Sequence, residues 1–144
     1  MSLGPPAQKL KSRPVTFIFE LPTDKLIEFW SGLPKGKVYA SKCTKCGKIT
    51  FPPVADCSRC LNSAVEWVDL QGEGEIETFT HIVVRPTSFA NHETYTVAVA
   101  RMKEGVRVLA WLEGAKMGKV KVGAKVKLVG KVTDEGPTYA FTLA

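Results

Sequence analysis

The spacing of apolar and polar positions changes twice along the chain and divides it into three stretches. Up to about Pro14 the residues are polar and proline-bearing with no period, which predicts an extended arm. Val15 to Phe19 is a short β-prone run. Pro22, Thr23 and Asp24 then offer an N-cap and an acidic first turn, and Leu26, Ile27, Phe29, Trp30 and Leu33 follow at helical spacing on one face. Gly32, Pro34 and Gly36 end that helix. A helix this short needs a surface to lie against, on its own chain or on a partner. The Leu26/Phe29/Trp30 face reads as exposed and is the candidate docking surface.

Lys37 to Leu61 follows neither period and contains every cysteine. From Val65 onward the spacing is that of strands separated by glycines. Candidate strands run from Gly74 to Arg85, Thr94 to Met102, Val106 to Leu112, Lys125 to Val132 and Thr138 to Leu143. Lys103-Glu104-Gly105 joins the second and third, with glycine where a bulged hairpin needs a left-handed residue. In the fourth, lysines alternate outward against Val126, Leu128 and Val132 inward. Five strands with a connector after the third, from Gly114 to Gly123, match the order of an OB barrel, with an SH3-like barrel as the competing topology. The expected architecture is mainly β: an arm and short amphipathic helix over 1–36, a rubredoxin-like ribbon over 37–63, and a five-stranded OB-fold barrel over 64–144.

The segment CTKCGKITFPPVADCSRC sets two C-x-x-C pairs ten residues apart. Two residues between thiolates let one tight turn aim both sulfurs at a single ion, and a second such turn completes a tetrahedron. Cys43, Cys46, Cys57 and Cys60 are therefore the expected metal ligands, with zinc as the metal and iron as the alternative that similar ligands would hold. Two disulfides, or a redox pair opening a helix of a βαβ unit, are the competing readings; neither context is present. Four protein ligands leave no open coordination position, so the expected role is structural.

Composition adds solubility and charge to this picture. No apolar stretch approaches the length of a bilayer span, and the first residues hold no apolar signal core, so a soluble, cytoplasmic protein without a membrane segment is expected. The net charge of +6 resides in residues 1–60, with ten Lys/Arg against four Asp/Glu, while residues 61–144 carry ten of each. Lys116, Lys119, Lys121, Lys125, Lys127 and Lys131 form the densest basic run, which reads either as an anion site or as a solvated strand face. Trp111, Phe79, Tyr95, Tyr139 and Phe141 sit at alternating positions and are assigned first to the core. Glu73, Glu75 and Glu77 alternate on one face and read as a solvated edge, and His81 and His92 as a satisfied strand residue and a solvated loop residue. No nucleophile has an identifiable base, so no catalytic residue is assigned.

Several segments together resemble the OB-fold proteins with a rubredoxin-like zinc ribbon known as domain of unknown function thirty-five. They are Phe29-Trp30 before a glycine-rich turn, the ribbon with Phe51-Pro52-Pro53 between its cysteine pairs, LQGEGEIETFTHIVV, the hairpin TYTVAVARMKEGVRVLAWLEG, and VKVGAKVKLV. The resemblance spans about residues 24–143, and the four cysteines match the family's metal positions. It departs at the N-terminus, where many members carry two helices and only one is legible here, and at Thr94, where a proline is common. The resemblance implies a non-catalytic accessory subunit that binds acyl-CoA, docks a thiolase-type acyl-CoA enzyme, or does both. The alternative is a nucleic-acid-binding module, because OB folds and zinc ribbons both serve RNA and DNA; the neutral barrel weighs against nucleic acid. No ligand pocket is assigned to particular residues.

Overall fold

The computed structural model describes residues 11–20 and 22–144; most of the expected arm, residues 1–10, lies outside them. Val15 to Phe19, read as β-prone, is an extended segment without strand pairing, and its apolar side chains are exposed. High β-propensity yields a strand only where a ladder is available to join.

The helix is shorter and tighter than its pattern suggests. A 3-10 turn at Asp24–Leu26 leads into α1 (Ile27–Gly32), and a second 3-10 turn at Leu33–Lys35 closes on Gly36, whose φ of +78° is left-handed. Thr23 makes no side-chain capping bond, contrary to expectation. The ribbon consists of β1 (Tyr39–Cys43), β2 (Ile49–Thr50) and β3 (Val65–Asp69), in the order β2-β1-β3. All five β3 residues are in antiparallel register with β1, from Tyr39 opposite Asp69 to Cys43 opposite Val65. Val65–Asp69 therefore pairs within the ribbon's sheet, and the barrel's first strand begins at Glu73, one residue before the Gly74 expected from the sequence.

The barrel comprises β4 (Glu73–Ile82), β5 (Tyr95–Met102), β6 (Arg107–Glu113), β7 (Lys125–Thr133) and β8 (Gly136–Leu143), closed in the order β4-β5-β6-β8-β7. β6 and β8 pair in parallel, Trp111 opposite Ala140 and Glu113 opposite Thr142. A meander pairing each strand with its sequence neighbour would have no parallel pair, so this closure selects the OB topology over an SH3-like barrel. Gly105, with φ +84°, turns the hairpin as expected. Inward positions alternate as Val108, Ala110 and Leu112 on β6 and as Val126, Leu128 and Gly130 on β7. Val132, expected inward, is exposed because the alternation ends with the turn beyond it.

Ribbon, helix and barrel share one core. Phe29 and Leu33 join Val38, Ala40 and Leu70 with Ile76, Met102, Leu128 and Phe141 in a single buried cluster. Gly130 is what permits this approach: a Cβ there would lie 2.6 Å from the Leu33 carbonyl oxygen and 2.9 Å from that of Lys37, so backbone rests directly on β7. Around this contact Phe29, Phe51 and Tyr139 form an edge-to-face trio with ring centroids 5.3 to 6.3 Å apart.

Candidate metal centre and exposed faces

Two turns of the same construction carry the cysteines. In the first, the Gly47 N–H donates to the Cys43 carbonyl at 2.9 Å and the Cys43 N–H to the Lys48 carbonyl at 3.0 Å. In the second, the Leu61 N–H donates to the Cys57 carbonyl at 2.9 Å and the Cys57 N–H to the Asn62 carbonyl at 2.9 Å. The residue after each C-x-x-C pair turns left-handed, Gly47 at φ +70° and Leu61 at φ +56°. Glycine takes that conformation without strain, whereas leucine does not.

The turns bring all four Sγ atoms within 4.8 Å of one another. Cys43 and Cys60 sulfurs stand 3.5 Å apart, and those of Cys46 and Cys57 3.6 Å apart, so the thiols are not joined as disulfides. A zinc–sulfur bond of about 2.3 Å gives a tetrahedral edge of about 3.8 Å, close to these separations. Backbone N–H groups near the sulfurs favour thiolate. The amide of Cys46, then that of Lys45 and the Asn62 side chain, bring the Cys43 thiol down to about 6. Amides of Arg59 and Cys60 lower Cys57. The Asn62 amide also pulls on Cys60, but burial and the neighbouring thiols prevail and push it up to about 11. Four crowded sulfurs that cannot all ionise by themselves are a donor set suited to a divalent cation. Asn62 braces the second turn against the first, its Nδ2 donating to the Ala64 carbonyl at 2.9 Å and the Thr44 hydroxyl at 3.2 Å.

The helix face expected for docking is divided by the fold. Phe29 is only 5% exposed and belongs to the core, Leu26 is half-buried, and Trp30, with Ile27, faces outward. Leu26 sits on the 3-10 turn that precedes the helix, and Phe29 and Trp30, as sequence neighbours about 100° apart on α1, cannot both reach one core.

The other polar constellations resolve into pairs. Glu77 receives Arg101 Nε and Arg107 Nε, each at 2.6 Å, while Glu73 pairs with Lys103 and Glu75 with Lys125. These carboxylates face flanking strands of a closed barrel rather than a free edge. The bonds from Arg107, then Arg101, hold the Glu77 carboxyl below its ordinary value. His81 Nδ1 lies 2.7 Å from the Thr96 hydroxyl, a satisfied strand pair as expected.

The five aromatic residues expected in the core divide between core and surface. Phe141 is buried and Phe79 and Tyr139 pack against the core, but Trp111 stands outside it, 38% exposed, with Tyr95 stacked on it at 4.4 Å and 12°. Phe89 and His92, from the β4–β5 loop, close on the same indole at 6.0 and 5.8 Å. Trp111, Phe89 and His92 border a cleft of about 490 Å³ that continues over Glu113, the β7–β8 turn residues Asp134 and Glu135, and Tyr139. The parity of β6 was the available signal: with Ala110 and Leu112 inward, Trp111 must point out.

Comparison with known proteins follows the same division of the chain. Residues 30–66 match the family described as ChsH2, rubredoxin-like zinc ribbon domain, and residues 67–131 match ChsH2, C-terminal OB-fold domain. With four cysteines close together, the ribbon is consistent with structural zinc. The chain is 27% identical over 113 residues to a DUF35 domain-containing scaffold protein of Methanothermobacter thermautotrophicus, covering 76% of this chain and 85% of that one. It is 28% identical over 140 residues to the benzoylsuccinyl-CoA thiolase subunit BbsA of Thauera aromatica, covering 93% and 90%. Among solved structures, the Ltp2-ChsH2(DUF35) aldolase superposes with a TM-score of 0.70 at 20% identity over 91% of this chain and 98% of that one, a likeness of fold.

Proposed function

The chain belongs to the DUF35 family of zinc-ribbon and OB-fold proteins represented by ChsH2, and from that membership we propose that it is a cytoplasmic, non-catalytic accessory subunit of an acyl-CoA enzyme of thiolase type. The observation that carries this reading is the alignment with BbsA, a thiolase subunit by name, through nearly the whole of both chains. The polar groups agree with a scaffold: His81 is tied to Thr96, and Glu73, Glu75 and Glu77 are each matched to a cation. Cys43, Cys46, Cys57 and Cys60 are the zinc ligands, and the ion, once bound, holds the ribbon's two turns together. Leu26 and Trp30 form part of the docking face, with Phe29 bracing them from the core.

Contact with acyl-CoA is the finer part of the proposal. Lys116, Lys119 and Lys121, on the connector between β6 and β7, take part in no ion pair among the described residues and would meet the phosphates of coenzyme A. The test is to purify the untagged chain from its native cells and identify what co-migrates with it. An acyl-CoA enzyme in fixed stoichiometry is expected, and a chain that migrates alone contradicts the reading. Calorimetric titration of that complex and of the free chain with acetyl-CoA separates docking from ligand binding.

A further inference from the structure

We infer that the aromatic cleft of the barrel receives an arginine-bearing segment of the partner enzyme; this inference rests on the accessory-subunit reading and specifies one of its contacts. The cleft runs over β6, β8 and the end of β7, between the β4–β5 loop and the β7–β8 turn, two loops that flank the ligand face of OB barrels. Here that surface carries the wrong charge for a phosphate. Glu113, Asp134 and Glu135 face Lys131 alone, and Lys131 is already paired with Glu113. Asp134 and Glu135 are left as exposed carboxylates with no ion pair among the described residues. A nucleic-acid backbone or the phosphates of coenzyme A would be repelled there.

Charge and shape together favour a guanidinium. Trp111 is backed on one face by Tyr95 and flanked by Phe89 and His92, which gives it a fixed pose at no further ordering cost when a ligand arrives. An aromatic wall attracts a cation through its quadrupole, and arginine, planar and weakly hydrated, stacks on such a wall while donating to carboxylates in its own plane. Lysine would meet the charge without the stacking. A partner of this chemistry complements a cleft whose own surplus is negative, and such rim charges act chiefly on association rate and specificity.

The experiment has two arms. In the first, the 15N-labelled chain is titrated with acetyl-Gly-Arg-Gly-amide and with its Glu counterpart, following the Trp111 indole N–H, which is assigned by its disappearance in Trp111→Leu. The arginine peptide is expected to shift that resonance saturably, the glutamate peptide to leave it unmoved, and the Asp134→Asn/Glu135→Gln double variant to bind at least about 5-fold more weakly. Both substitutions lie on an exposed turn, so the barrel stays folded. No shift with the arginine peptide, or equal shifts with both peptides, overturns the inference. In the second arm, the co-purified partner is titrated against the parent chain, the double variant and Trp111→Leu. A loss of about 10-fold or more in affinity, steeper at low salt, is expected for the double variant. A complex indifferent to both variants overturns the inference and leaves the accessory-subunit reading standing, whereas failure of every form to bind removes that reading and the inference with it.

Discussion

The ribbon and the barrel reach a fixed structure by different means. The barrel encloses Ile76, Ala100, Val108, Val126 and Phe141, among others, within a closed ladder, and hydrophobic burial is the main term that holds it. The ribbon has two strands of five residues and one of two, and most of what it buries is sulfur or belongs to the core it shares with the barrel. Segments this small rarely fold without a metal or a crosslink. The difference is one of dependence: the barrel carries most of the apolar core, the ribbon is conditional on its ion, and Gly130 with the Phe29/Phe51/Tyr139 trio decides how far the loss of one is felt by the other.

The severest way to break this asymmetry is at the sulfurs. Structural zinc contributes on the order of 10 kcal/mol to modules of this size, and three thiolates retain only part of it. Cys60→Ser is expected to purify with less than one equivalent of metal and with ribbon amides open to hydrogen exchange, while β4–β8 keep their protection. Next comes the seam. Gly130→Ala forces a Cβ against the Leu33 and Lys37 carbonyls, at a cost of about 1 to 3 kcal/mol, read as a fall in Tm of roughly 3 to 10 °C. Phe29 and Trp30 sharpen the point, because Phe29→Ala should destabilise the chain by about 3 to 5 kcal/mol if its site does not collapse, whereas Trp30→Ala should spare stability and weaken docking.

The two cysteine turns allow a finer test. Leu61 holds a left-handed conformation that glycine holds at the equivalent place in the first turn, and its side chain is 83% exposed, so little packing is lost on removing it. Leu61→Gly is expected to raise stability by about 0.5 to 1 kcal/mol, and Gly47→Ala to lower it by about 1 kcal/mol, both by urea denaturation of the zinc-loaded chain. The smallest effect is electrostatic and confined to the barrel. The Glu77 carboxyl is held below its ordinary value by Arg107 and Arg101, so its contribution is present above the unfolded value of 4.5 and is lost as pH falls through the depressed folded one. Glu77→Gln should narrow the difference in urea midpoint between pH 7 and pH 3, and an unchanged difference would show that the pair contributes nothing.

What the residues disclosed in advance follows the range of the interactions involved. The cysteine spacing and the Lys103-Glu104-Gly105 hairpin are local, and both turns stand as read. The barrel's closure was legible as a count of strands, but the parallel β6–β8 pair that fixes the topology is a long-range contact with no mark in the spacing. The same holds for Val65–Asp69, whose alternation suits either sheet and whose partner is the strand before the cysteines. Trp111 and Tyr95 stand outside the core to which their alternating positions assign them, because alternation alone does not say which of a strand's two faces is the inner one. Asp134 and Glu135 read as turn residues, and nothing local says that the turn overhangs an indole.

Hydrogen exchange with zinc present and after chelation tests the central dependence most directly. One zinc per chain is expected, and its removal should free the amides of Cys43, Gly47, Cys57 and Leu61 while those of β5 and β6 remain protected. A chain that holds no stoichiometric metal, or whose ribbon amides stay protected after the metal is stripped, would contradict the account.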